Sequence, residues 1–136
     1  MSGRGDDAFW RTEEERNRDK ESYLRARGVL FGEPVPANEG VKFDGGKLRM
    51  DLLPPDALEA LARILTDGAV KYGPRNWERG MDWSRPYAAL LRHLLAWWGG
   101  QDTDPESGHP HLWHVMTNAV FLVSYEQRNI GEDDRP

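Results

Sequence analysis

The side chains best suited to chemistry are concentrated between Arg92 and Asn118. This stretch carries all the histidines of the chain and a short acidic run: His93, His109, His111, His114, Asp102, Asp104 and Glu106. Imidazole nitrogen and carboxylate oxygen are ligands of hard to borderline divalent cations. Two imidazoles three residues apart on a helix, as at His111 and His114, point the same way. The composition predicts a metal site.

The predicted ligands come from an acidic bend and from the helix face that follows it. A helix ending near Gly99 would place its partly negative carbonyl terminus beside this bend, and a divalent cation would relieve the repulsion. We expect Mg²⁺ or Mn²⁺, because the carboxylate majority disfavours zinc and the imidazoles favour manganese. Two simpler interpretations stay open, an ordinary capping turn and a core histidine at His114. The expected metal ligands are Asp102, Asp104, Glu106, His111 and His114.

Basic and aromatic residues flanking the first domain helix would form the other half of a site. They are Lys42, Lys47, Arg49, Lys71, Tyr72, Arg75, Asn76 and Trp77. Lysine and arginine bind phosphate oxygens, while Tyr72 or Trp77 could stack on a nucleobase. A polyphosphate that carries a base fits this set. Each residue alone is nonspecific, since a surface lysine is usually solvated and a tryptophan usually belongs to the core.

Proline, glycine and the spacing of apolar residues predict three domain helices and no strand. The first ends at Gly73, the second has Ser84 as its N-cap and ends at Gly99, and the third begins at Pro110. The predicted fold class is therefore all-α. We expect a small helical bundle with a central antiparallel helix pair joined by the acidic loop.

Composition divides the chain into three parts. Residues 1–40 form a charged arm and a Pro/Gly linker, residues 41–130 form the helical domain, and residues 131–136 form an acidic tail expected to fray. The chain has 136 residues, no cysteine and a net charge of −5, which suits one globular domain without disulfides or thiolate ligands. Dispersed positive charge argues against a nucleic-acid partner, and no apolar segment is long enough for a membrane partner. We expect a cytoplasmic protein.

Five motifs occur in order along the domain. They are K-x-D-x-x-K from Lys42, G-A-x-K-Y-G-x-x-N-W from Gly68, R-H at Arg92, D-x-E-S-G from Asp104, and H-x-x-H-x-x-x-N from His111. With these motifs, residues 41–125 resemble the phage-encoded dATP/dGTP diphosphohydrolase family. That family looks distantly related to the all-α nucleotide pyrophosphohydrolases of the MazG and dimeric dUTPase groups.

The resemblance implies hydrolysis of a purine deoxynucleoside triphosphate to the monophosphate and pyrophosphate, with Mg²⁺ or Mn²⁺ held by a helical hairpin. In the wider superfamily the hairpin carries two acidic pairs, and at similar spacings this chain has Gln101-x-x-Asp104 and His111-x-x-His114. Gln101 is a weaker ligand than the expected glutamate. Asp102 and Glu106 would restore the missing charge. The resemblance implies substrate-binding roles for Lys42, Asp44, Lys47, Lys71, Tyr72, Asn76, Trp77, Arg92 and Asn118.

The resemblance also implies that subunits pair. The apolar run over residues 90–98 would be hard to cover within so small a domain, which favours the same interpretation. We therefore expect a homo-oligomer, a dimer or a tetramer, acting in the cytoplasm of the host cell.

The expected reaction uses water as the nucleophile. Glu106 or His114 would remove a proton from water acidified by the cation, with His93 as a third catalytic residue, and hydroxide would attack the α-phosphorus. Two alternatives are a nucleotide-binding or sequestering protein without turnover and a structural protein that uses its Trp-rich helix as an interface. An HD-type phosphohydrolase is disfavoured because the sequence contains no His-Asp dipeptide.

Overall fold

The computed structural model describes residues 12–26, 40, 42 and 44–136. The chain forms two compact units, Met1–Leu52 and Leu53–Pro136. Apart from Gly40, the linker expected over residues 32–40 lies outside the described residues. The division after Leu52 falls later than the domain start expected from composition at residue 41.

The first unit contains helix α1, Glu13–Ala26, whose start is fixed by a reciprocal pair of hydrogen bonds. The backbone N–H of Glu15 donates to Thr12 Oγ1 at 3.2 Å, and the backbone N–H of Thr12 donates to Glu15 Oε2 at 2.8 Å. This capping box satisfies two amides that the helix itself leaves without partners. A turn over residues 44–47 and a short 3₁₀ segment, Met50–Leu52, follow.

The second unit begins with helix α2, Pro55–Tyr72. Proline is tolerated in the first turn because its missing N–H would have no partner there. The helix ends at Gly73, whose φ of +88° suits glycine and whose N–H donates to the carbonyl of Ala69. The predicted end of the first domain helix is thus confirmed. A short 3₁₀ segment, Asn76–Arg79, leads onward.

Helices α3, Ser84–Trp98, and α4, His111–Arg128, form an antiparallel pair and pack mainly on each other, while α2 packs on α4. Across the described residues the regular elements are all helical, so the predicted all-α bundle with a central hairpin is confirmed. No described helix combines the length and the apolar character needed to cross a membrane.

Helix α3 begins differently from the prediction. Ser84 is its first residue and Trp83 occupies the N-cap position, without a capping hydrogen bond from its own side chain. The cap comes instead from the C-terminal tail, because Asp134 Oδ1 accepts the backbone N–H of Ser84 at 2.8 Å. The negative carboxylate also interacts favourably with the positive N-terminal end of the helix dipole.

The tail itself is held in place, so the expectation that it frays is wrong. Trp83 Nε1 donates to the carbonyl of Ile130 at 3.0 Å, and its backbone N–H donates to Glu132 at 2.9 Å. Gly80 and Gly131 meet backbone to backbone, and a Cβ at either position would collide with the other segment. These contacts depend on partners nearly fifty residues earlier in the chain, which local composition does not reveal.

Candidate functional site

The site is built on the hairpin loop that joins α3 to α4. Helix α3 ends in a Schellman motif, in which Gly100 has a φ of +95° and the N–H of Gln101 donates to Ala96 at 3.0 Å. The loop then closes on itself, since Asp104 N–H donates to the carbonyl of His109 at 2.9 Å and His111 N–H to that of Asp102 at 2.9 Å. The loop conformation is therefore fixed by backbone bonds on both sides of the acidic run.

Three side chains converge between the two helices and the loop. Ligand atoms of His93, Asp104 and His111 all lie within 4.8 Å of one another. The Nδ1 atoms of His93 and His111 are 2.9 Å apart. His111 is buried, and the other two residues are partly buried. Two imidazoles and one carboxylate form a donor set suited to a borderline divalent cation, so these residues fit a metal.

A second layer of contacts surrounds Asp104. Ser107 Oγ lies 2.7 Å from Asp104 Oδ2, to which it donates, and 2.7 Å from His114 Nε2. His114 Nε2 also lies 3.7 Å from Asp104 Oδ2, and its ring stacks on that of His93 with centroids 4.4 Å apart. Ser107 thus links the acid of the cluster to the next imidazole of α4.

His111 has one polar neighbour at each ring nitrogen. Its Nδ1 faces His93, and its Nε2 lies 3.0 Å from Oε1 of Gln101. The residue is only 4% exposed, so these contacts take the place of water. Gln101 therefore contacts a histidine of the cluster.

The electrostatic environment favours neutral imidazoles at His93 and His114 and an ionised carboxylate at Asp104. Burial lowers the pKa of His93, with Asp104 opposing and His111 reinforcing the change. Burial likewise lowers the pKa of His114, reinforced by the nearby His93. Burial acts to raise the pKa of Asp104, but hydrogen bonds from Ser107 and from the Glu106 backbone outweigh it and bring the pKa below its usual value. These are the protonation states that bind a cation.

Helix α2 holds the outer side of the loop through two contacts one turn apart. His109 Nε2 lies 2.6 Å from Asp67 Oδ2, and Lys71 Nζ lies 3.9 Å from Glu106 Oε1. Lys71 and Glu106 are both largely exposed, with side-chain exposures of 62% and 84%. Their charges therefore remain accessible to a ligand at this edge of the loop.

The expected ligands fall into three groups. Asp104 and His111 belong to the cluster, together with His93, which the sequence suggested as a catalytic residue. His114 lies beside the cluster, where its ring is near Ser107 and Asp104. In the part of the chain that the structure describes, the carboxylates of Asp102 and Glu106 are not among the grouped donor atoms.

The expected substrate-binding residues are also distributed. Lys71 and the exposed Tyr72 lie at the C-terminal end of α2, with the lysine over the tyrosine ring at 5.0 Å. Trp77 stacks on Phe121 at 4.6 Å, so one face of its ring is used in packing. Asn118 Nδ2 donates to the carbonyl of His114 at 2.8 Å.

The remaining substrate-binding candidates lie in different parts of the chain. Asn76 opens the 3₁₀ segment and is partly buried, whereas Arg92 is exposed on α3. Lys42, Asp44 and Lys47 belong to the first unit. There, Asp44 pairs with Lys42 at 3.9 Å and with Lys47 at 3.0 Å.

Sequence reasoning did not select two residues that the structure places at the site. Ser107 had a signal, because it belongs to the D-x-E-S-G motif beside two suspected ligands. Asp67 had no signal, because its contact with His109 joins residues forty-two positions apart. Only the packing of α2 against the hairpin brings that pair together.

Residues 37–135 match the family described as dATP/dGTP diphosphohydrolase, N-terminal. A protein of Salmonella phage PMBT28 named dATP/dGTP diphosphohydrolase is 35% identical over 96 residues, which are 71% of this chain and 33% of that protein. The chain therefore spans about a third of the length of this relative. No solved structure matches. The relation to MazG proteins stays a prediction. Because the family match covers most of the chain, the chain belongs to the dATP/dGTP diphosphohydrolase N-terminal family.

Proposed function

We propose that this chain hydrolyses a purine deoxynucleoside triphosphate, dATP or dGTP, to the monophosphate and pyrophosphate with a divalent cation. The observation that carries the proposal is the convergence of His93, Asp104 and His111 at the hairpin loop. The name of the phage relative supports the substrate class. Deoxynucleoside triphosphates are cytoplasmic metabolites, so we place the activity in the cytoplasm.

His93, Asp104 and His111 would hold the cation. Two nitrogen ligands and one oxygen ligand favour Mn²⁺ over Mg²⁺, because Mg²⁺ prefers oxygen donors. When bound there, the cation supplies Lewis acidity and neutralises charge on the triphosphate. Asp102 and Glu106 remain candidates for contacts made only when nucleotide is present.

The proton of the attacking water would pass to His114. Burial lowers the pKa of this imidazole, so the ring is neutral near pH 7 and can accept a proton. Because the Ser107 hydroxyl donates to Asp104, it accepts the Nε2–H of His114, and Nδ1 is the ring nitrogen that would take the proton. The largely exposed carboxylate of Glu106 is the second candidate base, and Lys71 Nζ lies 3.9 Å from its Oε1.

The triphosphate and base would be bound mainly by the C-terminal end of α2. The Lys71 ammonium can pair with phosphate oxygens, and the Tyr72 ring, 61% exposed, can stack on a purine. Asn76 and Arg92 are further proposed contacts in this unit, as are Trp77 and Asn118 after rearrangement of their present contacts. Lys42, Asp44 and Lys47 remain proposed substrate contacts.

A second copy of the chain would cover the apolar face of α3. Tyr87, Leu95 and Trp98 share this face and are 54%, 67% and 79% exposed. Such a surface on a helix favours burial in a contact, and we propose a homodimer or homotetramer. Sedimentation analysis of the wild type and of Trp98→Asp tests this, and a wild type that remains monomeric at high concentration contradicts it.

Incubation with each deoxynucleoside triphosphate and either Mn²⁺ or Mg²⁺, followed by separation of the products, tests the activity. We expect monophosphate and pyrophosphate from dATP or dGTP, faster turnover with Mn²⁺, and no turnover after chelation. Release of orthophosphate and the deoxynucleoside diphosphate would contradict the proposal, as would turnover that survives chelation.

The second candidate function is nucleotide binding without turnover. It is favoured by one observation, that the chain spans about a third of the phage relative, so residues needed for turnover in that protein can lie elsewhere. Retention of intact nucleotide by the protein in the same incubation would identify this function.

A further inference from the structure

Gln101 contacts a ring that water barely reaches. His111 is 4% exposed, and its ring makes two polar contacts with described residues. Nε2 lies 3.0 Å from Gln101 Oε1, and Nδ1 lies 2.9 Å from Nδ1 of His93. Because a buried ring nitrogen needs a partner, these two contacts determine which nitrogen carries the proton.

The chemistry of the amide decides the assignment. An amide oxygen only accepts hydrogen bonds, so Nε2 of His111 must be the donor. In a neutral imidazole the other nitrogen, Nδ1, then keeps its lone pair. In the metal-free protein that lone pair accepts the Nδ1–H of His93, and it faces the centre of the cluster.

The backbone of Gln101 is held in place for this contact. Its N–H donates to the carbonyl of Ala96 at 3.0 Å as part of the motif that ends α3, and Gly100 supplies the left-handed turn at φ +95°. The side chain therefore starts from a fixed point at the end of one helix and reaches the first residue of the next.

We propose that Gln101 is a positioning residue, which holds His111 in the Nε2–H tautomer so that its Nδ1 is the atom available to a cation. The role in cation binding rests on the proposed function, whereas the tautomer is a property of the protein without metal. The neutral amide of Gln101 then accepts a hydrogen bond from His111, which would bind the cation, and does not itself act as a weak cation ligand.

Nitrogen NMR of the metal-free, ¹⁵N-labelled protein above the pH at which its histidines titrate tests the tautomer. We expect a protonated Nε2 and an unprotonated Nδ1 for His111 in the wild type and in Gln101→Glu, which keeps an oxygen acceptor. Gln101→Leu is expected to lose this pattern. A protonated Nδ1 in the wild type would overturn the proposal, because the amide nitrogen would then face the ring.

Titration of the same variants with Mn²⁺ alone tests the consequence for binding. We expect Gln101→Leu to bind about 10- to 100-fold more weakly, the usual effect of losing a group that orients a ligand. Gln101→Glu is expected to bind like the wild type. Thr103→Ala, an exposed position in the same loop, is the control for general disturbance of the loop.

The outcomes separate this proposal from the proposed function. Unchanged Mn²⁺ affinity and an unchanged tautomer in Gln101→Leu overturn the positioning role while leaving the metal site intact. A wild type with the expected tautomer that takes up no Mn²⁺ supports the orientation by Gln101 and contradicts the proposed metal function.

Discussion

The two ends of the α3–α4 hairpin are built from different kinds of contact. At the end away from the loop, Tyr125 is fully buried and its hydroxyl donates to the carbonyl of Trp77 at 2.6 Å, while Trp83 donates to the tail. At the loop end, two imidazole nitrogens face each other at 2.9 Å beside an ionised carboxylate. Both ends pair donors with acceptors, but at the second end the paired groups, two imidazoles and a carboxylate, are also potential ligands of a cation.

This difference separates stability from chemistry. Buried donors that meet acceptors stabilise a fold, and aromatic stacking such as Trp77 on Phe121 adds to the core. A cluster of potential metal ligands contributes most to stability once a cation binds it. We therefore expect substitutions at the loop end to affect activity much more than folding, and substitutions at the other end to do the reverse.

The largest expected effect comes from Asp104→Asn. This change removes the negative charge of the cluster while keeping the shape of the side chain, and we expect turnover to fall about 1000-fold, equivalent to about 4 kcal/mol of transition-state stabilisation. Helical circular dichroism should stay near that of the wild type. Glu132→Gln, a carboxylate at the other end, is the control, and equal activity of Asp104→Asn and the wild type would contradict the contrast between the ends.

A smaller effect is expected from Lys71→Ala. Loss of one ammonium near the triphosphate should raise KM about tenfold, or about 1.4 kcal/mol, with little change in kcat. Arg63→Ala is the matched control, because Arg63 is an exposed cation on the same helix and pairs with Glu59 at 2.7 Å. Steady-state kinetics of both variants makes the comparison, and a similar KM for both would remove Lys71 from the proposed site.

The smallest effect on activity is expected from Tyr125→Phe, which acts on stability. Loss of the hydroxyl leaves the carbonyl of Trp77 without this donor and should cost about 1 to 2 kcal/mol in the free energy of unfolding. Urea denaturation measures the cost near neutral pH, and turnover of the folded variant should match that of the wild type. A large loss of activity in the folded variant would show that the two ends are coupled.

The same variant has an expected pH dependence. Burial raises the pKa of Tyr125 above its ordinary value of 10.0, so the unfolded chain ionises first as the pH rises. The stability that this hydroxyl contributes is fully present below about pH 10 and is lost as the pH rises toward the folded-state pKa. The difference in stability between wild type and Tyr125→Phe should therefore shrink in alkaline urea titrations, and a constant difference would contradict the raised pKa.

Local sequence signals predicted the helices well and the site only in part. Gly73 ended α2, and the glycine pair after Trp98 ended α3, because helix ends depend on residues nearby in the chain. The acidic loop with its histidines was recognisable from residue types alone. The pairing of His93 with His111 was not, because it depends on how two helices face each other.

The sequence by itself determined the helices, their order and the short stretch that carries the donor groups, because these follow from spacing, capping and composition over a few residues. The tertiary structure decided which of these groups come into contact. It brought His93 to Asp104 and His111, Gln101 to the buried ring, Asp67 to His109, and the tail to the start of α3. Each of these contacts joins positions ten or more residues apart, and such contacts are set by packing of whole elements rather than by local preference.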